Sequence, residues 1–382
     1  MLSVYLLISM AAGAGIGLLF PEFGQSLAVI GRVFLKLIQS VIAPVLFGSL
    51  VAGIARGSGI GRLGGQAVLL FEIATTIGLL LGWGIVWLTE PGVGVALQVE
   101  PVKAAVPVGL GQVLESIFPT SIFDAMAKGS VLQIVIFCVT VGVAARGQEQ
   151  FVRFAESVAA VSYEYIRYVM MLAPFGVAAS MAATVGAGGF AVIKGLSYFA
   201  LVAWVAQGIF VGVIALGLWW AKVPLLGFAR AVREPFLIAL GTTSSAAALP
   251  KAMEAMERYG VPRQVVSLAL PLGLSFNLCG STIHLAMATL FVAQAAGVNL
   301  SLGQQVLILA TLKLTSKGVA GIPRANFVIL SSLFTGFGLP LEGLAMLLGV
   351  DAVIDMIRTG VNVLGNCAAT AMLGARRSSS PG

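Results

Sequence analysis

The amino-acid sequence predicts an all-α polytopic membrane protein, and three observations support this fold class. The chain has 382 residues, of which 59% are apolar and 10% are charged, whereas soluble proteins carry about 25% charged residues. Charge-free stretches of roughly 20 residues, the length needed to cross hydrocarbon, recur along the chain. Forty-seven glycines in so apolar a chain are typical of closely packed and broken helices rather than of a β-barrel. The composition therefore excludes a water-soluble domain, a disordered chain and a repetitive fibre.

Six charge-free stretches are predicted to span the membrane. In chain order they are 1–21, 37–55, 73–89, 129–145, 168–193 and 195–221. Arginine and lysine cluster between alternate stretches, while the intervening loops hold mainly acidic residues. Because basic residues accumulate in cytoplasmic loops, we expect a multi-pass protein of the cell (inner) membrane with both termini cytoplasmic. We attribute the net charge of +7 to this orientation and to contact with membrane lipids. We therefore expect no nucleic-acid partner.

The C-terminal half contains two hydrophobic segments that are too short for ordinary spans. These are residues 235–250 and 325–341, and each lies beside a tip rich in small residues. Short interrupted segments in corresponding positions are the best sequence indication of a transporter's binding site. We therefore interpret both as re-entrant helical hairpins, one entering from each side of the membrane. The alternative is two ordinary kinked spans. Between the two segments, residues 264–312 carry no formal charge and are broken near their middle by Asn277, Cys279 and Gly280.

A polar stripe lies inside the last apolar segment. Its members are spaced four, three, four and four residues apart, so they share one face of a helix: Asp351, Asp355, Arg358, Asn362 and Asn366. A charge at the bilayer centre costs at least about 2.5–3.5 kcal/mol, so this face must contact protein or a watery cavity. Two interpretations are open. The stripe is a structural Asp–Arg pair that joins helices, or it is a zwitterion site in which a carboxylate binds an amine and the guanidinium binds a carboxylate.

Four motifs in order resemble the dicarboxylate/amino acid:cation symporter family, which contains the glutamate and aspartate transporters. The motifs are GTTSSAAALP at 241–250, SFNLCGS at 275–281, TSKGVAGIP at 315–323 and DMIRTGVNVLG at 355–365. They match the serine-rich first hairpin tip, the Asn-Met/Leu-Asp-Gly-Thr element, the second hairpin tip and the last helix of that family. The resemblance covers nearly the whole chain in span order.

The resemblance implies eight transmembrane helices plus two re-entrant hairpins, arranged as inverted repeats with scaffold and transport domains. The implied division assigns residues 1–63 to scaffold helices one and two, and 64–90 to transport-domain helix three. Residues 91–190 form scaffold helices four and five, and 191–382 form the transport core. The family also implies a homotrimer in which substrate crosses by an elevator movement.

Carried over by position, the family's substrate site falls on eight residues. Asp355 is expected to bind the substrate amino group together with Thr359, and Arg358 the side-chain carboxylate together with Ser281. Asn362 and Ser245 are expected near the α-carboxylate. The complete implied substrate set is Ser244, Ser245, Ser281, Gly321, Asp355, Arg358, Thr359 and Asn362.

The departures from the family concern its cation sites. Cys279 and Asn366 stand where the family usually has aspartates that bind sodium, and Leu278 replaces a methionine. The cation-site residues or their substitutes are Gly273, Ser275, Asn277, Cys279, Lys317 and Asn366. A sodium ion stripped of water needs hard oxygen ligands, and carboxylates offset much of its desolvation cost. We therefore expect weak or no sodium coupling, and no cofactor or resident metal.

Two further polar residues, His284 and Lys317, have two interpretations each. His284 stands where the family usually has tyrosine, and is either a candidate proton site or a hydrogen-bonded core histidine. Lys317 either replaces a sodium ion with a tethered ammonium or anchors the gate. Lys313, one turn earlier, is expected to extend to the surface. Arg324 lies in the second hairpin tip, which is normally rich in glycine in the family.

We expect a secondary active transporter of acidic amino acids, aspartate or glutamate. The first alternative is a C4-dicarboxylate carrier, although Asp355 would repel a dicarboxylate. The alternative from another functional class is an anion channel, but a simple pore does not require the polar stripe. An enzyme is not expected, because only Cys279 and His284 approach a nucleophile–base pair and no acid orients them.

Overall fold

The computed structural model describes residues 2–56, 62–95, 97, 118–128, 131–316 and 325–378. Within these residues the chain forms sixteen α-helices and no β-strand. The helices are α1 (Leu2–Leu19), α2 (Pro21–Ser26), α3 (Ala28–Gln39), α4 (Ile42–Arg56), α5 (Arg62–Thr89), α6 (Ile122–Lys128), α7 (Val131–Ala144), α8 (Glu149–Met171), α9 (Ala173–Trp220), α10 (Leu225–Thr242), α11 (Ser245–Arg258), α12 (Arg263–Phe276), α13 (Cys279–Ala295), α14 (Leu302–Thr315), α15 (Ala325–Phe337) and α16 (Leu341–Ser378).

Several of these segments are long and apolar enough to cross a membrane. In the described part of the chain, four qualify by length and composition, namely Pro21–Arg56, Leu63–Thr89, Ala173–Trp220 and Arg263–Ala295. Shorter apolar helices cover Tyr5–Leu19, Gln133–Ala144 and Leu302–Thr315. The all-helical, polytopic fold class predicted from the sequence is confirmed.

Two predicted spans contain helix ends that the apolar pattern does not reveal. The span at 37–55 contains the boundary between α3 and α4, at Ser40 and Val41. The span at 168–193 contains the start of α9, where Pro174 lies in the first turn. Proline suits this position because the first N–H groups of a helix have no intrahelical acceptor.

α9 consists of two helical segments that meet at Gly189. This residue has φ 63° and ψ −149°, a conformation that glycine adopts readily and other residues do not. The first segment packs on α1, α2 and α3, where Gly13 and Gly17 lie against the backbone of Ala178 and Ala182. The second segment packs on α13 and α16, for example through the stacked rings of Phe199 and Phe291.

α13 is the most deeply buried helix of the described chain. Every residue from Cys279 to Ala293 is buried, and this explains why the surrounding sequence carries no charge. α5 packs closely along α13, because Gly78 and Gly82 lie against the carbonyl oxygens of Cys279 and Ile283. The break between α12 and α13 falls at Asn277 and Leu278, where the sequence predicts it.

The described helices pack in two groups. α5, the second segment of α9 and α10–α16 form one group, mainly through contacts with α13 and α16, while α1–α4, α6–α8 and the first segment of α9 form the other group. α1, α3 and α7 contact α14, α15 or α16, so these helices connect the groups.

Two pairs of helices have their ends where the sequence predicts hairpin tips. α10 and α11 pack together and are joined by Thr243 and Ser244 alone, with Thr243 in the left-handed conformation at φ 51°. α14 and α15 also contact each other. The predicted tip between them, at 318–323, lies outside the described residues.

Candidate functional site

The polar stripe on α16 is buried, as its spacing predicts. Asp351 has no exposed surface, and the other four members of the stripe are also buried. Around it pack α10, α11, α12 and α13. The charges therefore face protein, in agreement with the high cost of placing them in lipid.

Arg358 lies between two carboxylates of its own helix. Its Nη1 atom is 2.7 Å from Asp351 Oδ1, and its Nη2 atom is 2.7 Å from Asp355 Oδ1. These contacts follow from the helical spacing, since the three residues lie on one face. A buried guanidinium without a partner costs several kcal/mol, so the two carboxylates stabilise its charge and also fix the direction of its planar fork.

The first turn of α13 contacts the middle of the stripe. The Ser281 N–H donates a hydrogen bond of 3.2 Å to Asn362 Oδ1, and Asn362 Nδ2 donates one of 3.1 Å to Ser281 Oγ. Within α16, Thr359 Oγ1 donates to Asp355 Oδ1 at 3.3 Å. These residues and Arg358 are thus five of the predicted substrate-binding residues that the structure brings together.

Gly280 permits this close approach of α13 and α16. A Cβ atom at Gly280 would collide with the backbone carbonyl of Arg358. The Gly280 carbonyl accepts a hydrogen bond of 2.9 Å from Nε2 of Gln207, a fully buried residue of α9. Gln207 was not among the residues predicted from the sequence. An amide within an otherwise apolar span is the signal that could have identified it.

Ser244 and Ser245 lie at the turn between α10 and α11. Ser244 is the N-cap of α11, and its Oγ accepts a hydrogen bond of 3.2 Å from the Ala247 N–H. Ser245 is half-buried. In the part of the chain that the structure describes, no hydrogen bond joins either serine to α16. Three other predicted residues, Gly321, Lys317 and Arg324, lie outside that part.

The described members of the predicted cation-site set lie around the break between α12 and α13. The Asn277 side-chain amide and Asn366 Oδ1 are buried, and neither has a hydrogen-bond partner in the described chain. Gly273 lies against the Asn366 amide, and Ser275 is half-buried nearby. Cys279 Sγ donates to the Val361 carbonyl at 3.6 Å.

The ligand atoms of these residues do not suit a sodium site that relies on protein carboxylates. It supplies neutral amide and carbonyl oxygens, but a thiol and an amide occupy the two positions where carboxylates are expected. A thiol is a poor ligand for a hard cation, and an amide contributes a dipole without a charge.

His284 is enclosed within the protein, close to one end of the stripe. Its Nε2 atom is 3.8 Å from Asp351 Oδ1, and its ring centroid is 6.2 Å from that of Phe199. Neither ring nitrogen has a hydrogen-bond partner among the described residues. His284 is therefore near the charged centre without being fixed by a hydrogen bond.

The expectation for Lys313 is wrong. Its ammonium does not extend to the surface but turns towards α5, where it is 2.8 Å from Glu72 Oε2 and also contacts Thr75 and Thr76. Glu72 was not singled out from the sequence. A carboxylate inside an apolar helix, followed by two threonines one turn later, was the signal for it.

Comparison with known proteins gives a match over nearly the whole chain. The family model described as the sodium:dicarboxylate symporter family matches residues 2–375. A proton/glutamate-aspartate symporter of Bacillus subtilis (strain 168) is 38% identical, with 97% of this chain and 93% of the relative covered. A C4-dicarboxylate transport protein of the same organism is also 38% identical, with 97% and 92% covered. A proton/sodium-glutamate symport protein of Geobacillus stearothermophilus is 34% identical, with 96% and 92% covered.

Proposed function

Because the chain belongs to the sodium:dicarboxylate symporter family, we propose that it is a secondary active transporter of acidic amino acids. In this proposal aspartate or glutamate crosses the cell membrane as a zwitterion with one additional carboxylate. The family is one of symporters rather than enzymes. The names of the relatives, which include both glutamate–aspartate and C4-dicarboxylate carriers, support this substrate class.

The observation that carries the proposal is the pairing of Arg358 with Asp351 and Asp355. When ionised, these three side chains together carry one negative charge, which favours a ligand that brings an ammonium group. Asp355 then binds the ammonium with Thr359. Arg358, held in a fixed direction, presents its remaining N–H groups to the distal carboxylate, since guanidinium binds carboxylate bidentately.

The remaining roles follow from position. Ser281 and Asn362, which bond each other in the structure, are proposed to exchange these bonds for the substrate carboxylates. Ser245 contributes from the first hairpin tip and Gly321 from the second. The N-terminus of α11 presents backbone N–H groups and a positive dipole end, both of which suit an anion.

We further propose an elevator movement of a transport domain against a scaffold. The two packing groups support the division into 1–63 and 91–190 as scaffold, and 64–90 and 191–382 as transport domain. The boundary near 190 coincides with the change of backbone direction at Gly189. In this arrangement α10–α11 and α14–α15 are re-entrant hairpins, the scaffold forms a homotrimer, and both termini are cytoplasmic.

Sodium coupling is proposed to be weak or absent. The described side chains of Asn277, Cys279 and Asn366 are neutral, so none of these three offsets the cost of stripping water from sodium. If an ion is coupled, a proton on His284 is the proposed candidate, because the imidazole lies 3.8 Å from Asp351. Lys317 is proposed to provide a fixed positive charge at the second tip.

The second candidate function is transport of a C4-dicarboxylate such as succinate or malate. The 38% identity to a C4-dicarboxylate transport protein favours it. The charge of the stripe opposes it, because a doubly negative substrate would add to the negative charge already present at Asp351 and Asp355.

Competition for uptake tests the choice between the two candidates. In proteoliposomes, unlabelled aspartate and glutamate should inhibit uptake of radiolabelled aspartate, while succinate and malate should compete poorly. Asp355→Ser should abolish this uptake, because the ammonium loses its carboxylate. If succinate or malate inhibits better than aspartate, or is itself the substrate taken up, the chain is a dicarboxylate carrier instead.

A further inference from the structure

Gln207 is a fully buried glutamine in the second segment of α9, and only one end of its side-chain amide is bonded in the described chain. Its Nε2 atom donates a hydrogen bond of 2.9 Å to the Gly280 carbonyl oxygen. Its Oε1 atom is also buried and has no partner among the described residues. A buried oxygen without a partner destabilises the folded chain. The contribution of this glutamine therefore lies in the bond that Nε2 makes.

The Gly280 carbonyl belongs to the same peptide unit as the Ser281 N–H. A peptide unit is planar, and its C=O and N–H groups point in opposite directions, so a donor that fixes the carbonyl also fixes the N–H. At the other end of this unit, the Ser281 N–H donates to Asn362 Oδ1 at 3.2 Å. Gln207 and Asn362 therefore hold the two ends of one rigid plane.

The place of this peptide unit in α13 leaves its N–H available to a ligand. α13 begins two residues before Ser281, and the first N–H groups of a helix have no acceptor within the helix. The Gly280 carbonyl, by contrast, faces the N–H of the residue four positions later in a regular α-helix. The carbonyl thus keeps a donor when Gln207 is replaced, so the chain can lose the Gln207 bond without leaving this oxygen unpaired.

We propose that Gln207 is a positioning residue, which directs the Ser281 N–H towards the substrate carboxylate through the Gly280–Ser281 peptide unit. The inference deepens the proposed function and rests on it, since Ser281 is one of the proposed substrate contacts. The N–H is bonded to Asn362 without substrate and to the carboxylate with it. Gln207 keeps the peptide plane in the same orientation in both cases, and acts from α9 without touching the substrate.

Gln207→Met is the first test, because methionine has nearly the same length but no N–H donor. The substitution also removes the unpaired Oε1, so the melting temperature of the ligand-free protein should change little. The affinity for aspartate, measured by isothermal titration, should fall roughly tenfold, the scale of one hydrogen bond to a charged group. A lower melting temperature with unchanged affinity would make Gln207 a purely structural residue and would overturn the proposal.

Gln207→Glu adds a readout that packing alone does not change. A protonated carboxyl group can donate to the Gly280 carbonyl, whereas an ionised carboxylate has no proton to donate. The affinity of this variant, divided by that of the native chain at the same pH, should therefore be close to one at about pH 5 and fall towards about pH 9. If the carboxyl group stays protonated throughout, the ratio stays near one and the variant rescues the binding that Gln207→Met loses. A ratio as low as that of Gln207→Met at every pH would contradict the proposal.

Trp204→Phe is the matched control on the same helix. Trp204 lies one turn before Gln207, and its Nε1 donates a hydrogen bond of 3.2 Å to the Val353 carbonyl of α16. This substitution therefore removes a bond from α9 to a different peptide unit, and it should leave the affinity unchanged. An equal loss of affinity in Trp204→Phe and Gln207→Met would mean that any loosened contact of α9 weakens binding, and would overturn the proposal.

The native chain separates this inference from the proposed function. Its titration with aspartate and with succinate shows which of the two it binds, and binding of succinate in place of aspartate would refute the proposed amino acid substrate. The variants are then titrated with the ligand that the native chain binds, because a carboxylate meets the Ser281 N–H in either case. Failure of the inference appears only in the ratio of variant to native affinity.

Discussion

At the scale of single residues, Arg358 is the group on which we propose that substrate choice depends. Its two carboxylate partners hold the guanidinium in one direction, and each of the two contacts is 2.7 Å long. A planar fork in a fixed position can distinguish a substrate that has a distal carboxylate from one that lacks it.

Replacement of Arg358 by cysteine should therefore remove acidic substrates. The expected loss in binding free energy for aspartate is roughly 2–5 kcal/mol, the range for breaking a desolvated charge pair, and neutral amino acids should bind instead. Isothermal titration of the purified variant measures both. Arg358→Lys is the matched control, which keeps the charge but loses the fork, and it should retain part of the affinity. Unchanged aspartate binding in Arg358→Cys would mean that the distal carboxylate is bound elsewhere, for example at Arg324.

The buried stripe could be predicted from the sequence, but the contacts of Lys313 could not. Asp351, Asp355 and Arg358 belong to one helix, so their spacing alone places them on one face. Lys313 and Glu72 are 241 positions apart in the chain, and no local pattern reveals that α14 places one beside the other. A partner on a distant helix depends on tertiary packing, which periodicity does not encode.

At the scale of helices, the close contact of α13 with α16 determines the position of the site. Gly280 lies against the Arg358 carbonyl, so any side chain there must separate the two helices. Gly280→Ala should destabilise the protein by roughly 1–3 kcal/mol, the usual cost of overpacking, and should also weaken substrate binding. Thermal unfolding in detergent measures the first effect.

Gly303→Ala is the matched control for this substitution. Gly303 also lies in a helix, but an added Cβ would meet no atom within 4 Å. Alanine should therefore leave stability unchanged or raise it by up to about 1 kcal/mol, because it is the better helix former. Equal effects of the two substitutions would show that Gly280 is not a contact point.

The two serines of the first predicted hairpin tip, Ser244 and Ser245, are expected to have different roles. Ser244 caps α11, so Ser244→Ala should lower stability by about 0.5–2 kcal/mol. Ser245 has no such role in the helix cap, and Ser245→Ala should weaken aspartate binding with little change in melting temperature. Parallel measurements of melting temperature and affinity test this separation. Loss of stability without loss of affinity in Ser245→Ala would remove Ser245 from the proposed site.

Helix positions illustrate the limit of the apolar pattern. The break at Asn277 and Leu278 was predicted because polar residues interrupt an uncharged stretch there. The boundary at Ser40 and Val41 was not, because both sides of it are equally apolar. Where the backbone alone ends a helix, without a change in polarity, hydropathy gives no signal.

At the scale of the whole molecule, the charges of the described core sum to one negative charge when ionised, counted over Glu72, Lys313, Asp351, Asp355 and Arg358. Lys313 pairs with Glu72, and Arg358 pairs with Asp351 and Asp355. The amide and thiol groups at Asn277, Cys279 and Asn366 add no negative charge. The positive charge proposed for Lys317 would balance this core, which is why we propose that sodium is not needed to neutralise it.

The affinity for aspartate, measured with sodium replaced by choline, is the most direct test of this central claim. We predict the same dissociation constant in both salts for the purified protein at constant ionic strength and pH. A pH dependence that disappears in His284→Gln would identify the proton as the coupled ion. An affinity that rises steeply with sodium concentration would contradict the claim and would require a sodium site built from backbone carbonyls and Ser275.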